Sequence, residues 1–192
     1  MKVKSVNYNE IVTPELSAGA YIHDAYIGFK EDYLTLHCLL RLYQPNTIFE
    51  IGTNIGEGVN VMATARPYAQ IYSLDLPFET MKLNSKQYPI DAAGNDRVGS
   101  AIRHNYTQLR GDSMAFKYSE WPCDAYFIDG EHTEVNVAHE TKEILKCEPK
   151  LIVYHDADMP EVLAGIIKGF GKSKKYEAVR VEGTRILYLI RK

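Results

Sequence analysis

Apolar residues fall along this chain in two recurring patterns, short unbroken runs and longer stretches at helical spacing. In EDYLTLHCLLRLYQP, Tyr33, Leu36, Leu40 and Tyr43 recur every three or four positions and Pro45 stands just past the end, which predicts a helix. TIFEIG reads as a short buried strand, interrupted by the glycines of TNIGEG, and VNVMATARPY resumes as a helix. IYSLDLP is the next strand, stopped by Pro77. Residues 78–105 are polar and mixed and read as two helical pieces around the loop DAAGND. YTQLRGD, CDAYFIDG and LIVYHDAD are three more strands. EVNVAHETKEILKCEP and PEVLAGIIKGFG are helices, the first with Val135, Ala138, Ile144 and Leu145 on one side. EAVRVEG and TRILYLIRK close the chain as two strands joined by a tight turn at Gly183. Residues 1–29 carry mixed signals and read as a cap or lid.

Five strands separated by helices, with apolar runs in place of alternation, predict a parallel sheet covered on both faces. The closing hairpin adds an antiparallel partner at one edge. The expectation is an α/β, Rossmann-like, doubly wound and mainly parallel seven-stranded sheet with an antiparallel edge strand, in one domain spanning residues 1–192. Ligands of such sheets sit over the carboxyl ends of the strands, so what each strand ends in carries the functional signal.

The totals narrow the classes. The 192 residues, 45% hydrophobic and 24% charged, suit one soluble domain. The formal net charge of -3 supplies no field to attract nucleic acid, and no apolar run is long enough to cross a membrane. Cys38, Cys123 and Cys147 form no pair or zinc pattern and read as buried thiols; with no apolar leader at the N-terminus, a cytoplasmic protein is expected. Fourteen tyrosines fit either a pocket lining or a tyrosine-rich core.

The first strand ends in Glu50-Ile51-Gly52-Thr53-Asn54-Ile55-Gly56-Glu57-Gly58. Its spacing, G-x3-G-x-G, differs from that of dinucleotide binders, and a carboxylate at Glu50 would repel a pyrophosphate but suit a cationic amine. Asp75 ends the second strand, where an acid can accept ribose hydroxyls or cap a turn. Gly111-Asp112-Ser113 ends the third, placed for an adenine amino group or for a turn.

In order and spacing, EIGTNIGEG, SLDLP, LRGDSMAF, AYFIDGEH and IVYHDAD resemble the motifs of class I S-adenosylmethionine (SAM)-dependent methyltransferases over roughly residues 46 to 160. More narrowly they resemble methyltransferase family 24, which is similar to macrolide-sugar O-methyltransferases and cephalosporin-hydroxylase-like proteins. The resemblance implies that Glu50 and Gly52 hold the methionine end of SAM, with Thr53, Asn54 and Gly56 lining the same turn. Asp75 and Leu76 would take the ribose, Gly111, Asp112 and Ser113 the adenine, and Asp129 the space beside the methyl group.

Asp129-Gly130-Glu131-His132 and His155-Asp156 end the fourth and fifth strands. Neighbouring strands lie about 4.8 Å apart, so these groups could converge on a divalent ion. In the similar sugar enzymes the matching positions bind Mg²⁺ and the acid two residues on acts as base. Carried over, Asp129, His155 and Asp156 become metal ligands and Glu131 the base. His155 departs from that pattern, since those enzymes carry a carboxylate there and imidazole suits softer metals. It stands as a ligand, a base or a donor to Asp156, and His132 as a further base. The plain alternative is a polar rim of capping acids.

The function expected is methyl transfer from SAM to a hydroxyl of a small molecule, a sugar or other metabolite, with Mg²⁺ or another divalent cation assisting. A non-catalytic SAM-binding module is one rival. An N-methyltransferase is another, although D-G-E-H stands where many such enzymes carry [DNS]-P-P-[YF]. His23, beside Tyr21 and Tyr26 in the cap, could approach substrate, and a homodimer could complete the pocket.

Overall fold

A computed structural model of the chain describes residues 1–22, 28–82 and 89–192. Its strands are β1 (Val3–Asn7), β2 (Thr47–Ile51), β3 (Gln70–Asp75), β4 (Thr107–Arg110), β5 (Ala125–Ile128), β6 (Leu151–Tyr154), β7 (Tyr176–Glu182) and β8 (Leu187–Arg191). The helices are α1 (Tyr8–Ile11), α2 (Pro14–Ser17), α3 (Lys30–Tyr43), α4 (Glu57–Ala65), α5 (Phe78–Lys82), α6 (Glu134–Lys146) and α7 (Pro160–Phe170). One sheet runs in the order β1-β7-β8-β6-β5-β2-β3-β4. Every neighbouring pair is parallel except the two that β8 makes, with β6 and with β7.

The mainly parallel, doubly wound sheet is as expected, with two differences of detail. The described residues form eight strands, because Val3–Asn7, within the segment read as a cap, pairs with Ala178–Glu182. That strand is edge-exposed, with only Val6 even half-buried, so it carries no periodic signal. The antiparallel strand β8 also lies one place in from where the hairpin would leave it, because β7 and β1 stand outside it.

Each sheet face has its own core. α3 and α4 cover one with Leu36, Leu39, Leu40, Val59 and Met62; α6 and α7 cover the other with Val137, Ile144, Val162 and Ile166. The buried face of α6 is Val137, Glu140, Thr141 and Ile144, whereas Val135 is 61% exposed. Thr133 caps this helix by accepting the Asn136 N–H, which sets a phase that turns Val135 outward. Ala138 and Leu145 are half-buried.

The second helical piece expected in residues 78–105 is a run of turns. Asp91 accepts the N–H groups of Ala93 and Asn95, and Gly99 takes φ +71°. The N–H groups of Gly99 and Ala101 go to the carbonyls of Asn54 and Ile55, and Asn60 holds Ala101 and Arg103. Backbone groups committed to the glycine turn are not available for a helix. Residues 83–88 lie outside the described residues, as do His23 and Tyr26.

All three cysteines are unpaired. Cys38 and Cys123 are buried and burial pushes their thiols up, to about 11 and about 12, while Cys147 is half-buried. Tyr118, Tyr126 and Tyr154 are wholly buried, so much of the tyrosine content is core. Among the described residues no helix is long and apolar enough to cross a membrane.

Candidate active site

The carboxyl ends of β2 to β6 open into one cavity of about 620 Å³. Glu50, Gly52, Thr53, Asn54, Asp75, Leu76, Gly111, Asp112, Ser113, Asp129, Glu131, His132, His155 and Asp156 all line it. Gly56 does not; it takes φ +102° at the start of α4, where a Cβ would collide with the Ile102 side chain. Gly52, at φ +95°, lets β2 pass so close to β5 that a Cβ would strike the Asp129 carbonyl oxygen.

On the β2 and β3 side, Glu50 is 1% exposed and accepts a hydrogen bond from Ser73. Burial pushes its carboxyl well above the usual range, Ser73 opposing this and Asp129 and Asp75 adding to it. Asp75 accepts the N–H of Asn54 at 2.9 Å and that of Leu76 at 2.8 Å. Burial raises Asp75 too, against those two bonds. Asp112 accepts the Met114 N–H at 2.9 Å, so it both caps a turn and lines the cavity.

The β5 and β6 side is a cluster of charges. His155, 6% exposed, directs Nδ1 at Asp156 (2.9 Å) and Asp129 (3.3 Å), and Nε2 at Asp32 (3.3 Å). Burial alone would push this imidazole down, but Asp129, Asp156 and Asp32 outweigh it and raise it to about 12. The same pairing holds Asp129 and Asp32 below the usual carboxylate range in spite of their burial. Asp156 takes φ +50°, a left-handed conformation uncommon for a residue other than glycine. His132 Nε2 lies 3.1 Å from Asp156 and 3.8 Å from Asp129. Asp129 raises this imidazole most, burial opposes it, and the nearer Asp156 adds to it.

Two charged members of the cluster escape the sequence reading. Asp32, 4% exposed in the first turn of α3, accepts the Arg185 backbone N–H at 2.8 Å and Nε at 3.2 Å. Arg185 also reaches Asp156 at 2.5 Å and lies 4.1 Å over the Phe29 ring. Tyr33 stacks on His155 with centroids 5.9 Å apart. The one available signal was an acid on the apolar face of a helix, at Asp32.

Both His155 nitrogens face carboxylates. Among the described residues, the group with donor atoms converging within 4.8 Å is instead Asp129, His132 and Asp156. The buried Nε2 atoms of His132 and His155 both lack an aligned hydrogen bond, although each lies beside a carboxylate. Two carboxylates with an imidazole suit Mn²⁺ or a softer divalent ion better than Mg²⁺.

No protein-family model matches the sequence, and no curated protein sequence matches it. Solved structures do match in fold. The SAH-bound methyltransferase PaMTH1 of Podospora anserina superposes with a TM-score of 0.59 at 13% identity, covering 96% of this chain and 95% of that one. The O-methyltransferase from Bacillus cereus, in complex with SAH, gives 0.57 at 16% identity over 93% and 85% of the two chains. TomG of Streptomyces achromogenes, an O-methyltransferase involved in tomaymycin synthesis and bound to SAM, gives 0.56 at 18% identity over 96% and 93%. Across nearly its whole length, this chain has the fold that these methyltransferases share.

Proposed function

We propose that this protein is a SAM-dependent methyltransferase that acts on the hydroxyl of a small molecule. The observation that carries the reading is the convergence of Glu50, Asp75 and Asp129, from the ends of three adjacent strands, on one cavity beside the Gly52 turn. Glu50 would receive the cofactor's ammonium group and Asp75 its ribose hydroxyls. The methyl-transferring enzymes of the same fold, two with SAH and one with SAM bound, support the assignment.

The acceptor hydroxyl would enter beside Asp129, under Phe29 and Tyr33. SAM, when bound, would supply the methyl group to that oxygen and depart as S-adenosylhomocysteine. The hydroxyl proton passes to a carboxylate within hydrogen-bond reach. Glu131, exposed and lining the cavity, takes that role. His155, raised to about 12, carries both ring protons at neutral pH and orients Asp129 and Asp156. Asp129, His132 and Asp156 would hold a divalent cation, which lowers the pKa of a bound hydroxyl when present. A cytoplasmic location belongs to the same reading.

Isothermal titration with S-adenosylhomocysteine and NAD tests it. Binding of the first and not the second is expected; no binding of S-adenosylhomocysteine would overturn the assignment. Asp129→Ala should then keep cofactor binding and lose methyl transfer, which separates an enzyme from a binding module.

A further inference from the structure

Glu50, Ser73 and Gln108 stand in one row across three strands. Glu50 is in register with Ser73 on β3, and Ser73 with Gln108 on β4. Residues in register on parallel strands project from the same face, so three polar side chains lie together where the next member of the row is Phe127. Glu50 is 1%, Ser73 0% and Thr53 2% exposed, leaving water little access. Polar groups so buried must bond to one another.

They do, and with Glu50 as the carboxylate that would meet an ammonium group the donors can be assigned, the two amide protons of Gln108 being shared among three acceptors. Gln108 Nε2 lies 2.9 Å from Thr53 Oγ1, 2.9 Å from the Ser73 carbonyl and 3.0 Å from the Leu109 carbonyl. Carbonyl oxygens only accept, so the amide nitrogen must face them; the amide oxygen accepts from the Tyr106 hydroxyl at 3.1 Å. An amide nitrogen cannot accept, so the Thr53 proton turns to Ser73 Oγ, 2.7 Å away. The Ser73 proton is then left for Glu50 Oε2.

We infer that Gln108 is a positioning residue for the aminoacyl end of the cofactor, acting through Thr53 and Ser73 to lock the Glu50 carboxylate in place. The inference rests on the cofactor reading above. With Oε2 held by Ser73, Oε1 stays over Gly58 at the cavity wall. Without the amide, the Thr53 hydroxyl is free to rotate, and Ser73 can donate elsewhere.

The test compares S-adenosylhomocysteine with 5′-methylthioadenosine, which keeps the adenine, ribose and sulfur but lacks the amino-acid group. Gln108→Leu and Thr53→Val should each weaken S-adenosylhomocysteine about tenfold and leave methylthioadenosine within about twofold, as loss of a bond to a charged group predicts. Thr53→Ser, which keeps the hydroxyl, should bind both as the parent does. Parallel weakening of the two ligands, or no weakening of S-adenosylhomocysteine, would overturn the inference and leave the cofactor assignment standing. A parent protein that binds no S-adenosylhomocysteine would overturn both.

Discussion

Asp32 accepts the backbone N–H of Arg185 at 2.8 Å, tying the first turn of α3 to the turn between β7 and β8 across 153 residues of sequence. The same carboxylate pairs with His155 and with the Arg185 guanidinium. Asp32→Ala would remove both the acceptor of the Arg185 N–H and the partner of a buried imidazole and of a guanidinium, a loss of about 3 kcal/mol. Asp32→Asn keeps an acceptor for the N–H and should lose clearly less. Urea denaturation of the three proteins checks this; equal losses would mean that charge, and not the accepted N–H, carries the link.

Glu140 is wholly buried on α6, and neither carboxylate oxygen has a hydrogen-bond partner. Burial raises its carboxyl from 4.5 to about 7, with Ser113 opposing and Glu131 adding. The unfolded chain releases this proton near the ordinary value, so above it the folded chain holds more protons. Stability from this residue therefore falls as pH rises from 4.5 towards about 7 and is level beyond. The full cost is about 3 kcal/mol at one pKa unit per 1.36 kcal/mol. Glu140→Gln should be the more stable protein near pH 8 and match the parent near pH 4. A gap of equal size at both pH values would show that the carboxyl does not titrate as described.

The order of strands and helices was legible because parallel strands buried on both faces leave unbroken apolar runs, as in LIVY and AYFI. The acids at the strand ends were legible for the complementary reason: Asp75, Asp129 and Asp156 interrupt those runs where the chain reaches the cavity. What stayed hidden depends on distant pairing. Val3–Asn7 becomes a strand only because β7 offers an edge, and Arg185 enters the site only because the closing hairpin folds beside β6. Gln108 interrupts a strand as visibly as Glu50 does, but its meaning comes from the register of β2, β3 and β4, which no spacing along the chain encodes.

Gly58 lies in the first turn of α4, where a Cβ would collide with Glu50 Oε1. Its φ is not in the left-handed region, and within a helix alanine is favoured over glycine by about 0.5–1 kcal/mol. Gly58→Ala should therefore stay folded, with the helix gain offset by displacement of the Glu50 carboxylate. Affinity for S-adenosylhomocysteine should fall about tenfold while the thermal midpoint stays near the parent's. Calorimetric titration alongside a melting curve reads both; unchanged affinity would show that Glu50 does not need its present place.

The two histidines of the cluster make opposite predictions for a divalent ion. His155 has both nitrogens turned to carboxylates, so it cannot ligate without giving up Asp32 or Asp156. His132 Nε2, buried without a hydrogen bond as His155 Nε2 is, differs in converging within 4.8 Å on oxygens of both Asp129 and Asp156. Mn²⁺ titrated into the chelator-treated protein should bind, and methyl transfer lost to the chelator should return with it. His132→Ala should weaken Mn²⁺ about tenfold or more, whereas His155→Gln should change it far less, because it removes a neighbour of the ligands and not a ligand. Asp129→Asn should weaken the metal as His132→Ala does. If Mn²⁺ affinity instead falls with His155→Gln and survives His132→Ala, then His155 must shed a proton and swing from Asp156 to the ion, and the carboxylates it now holds would be the ones the ion reorganises.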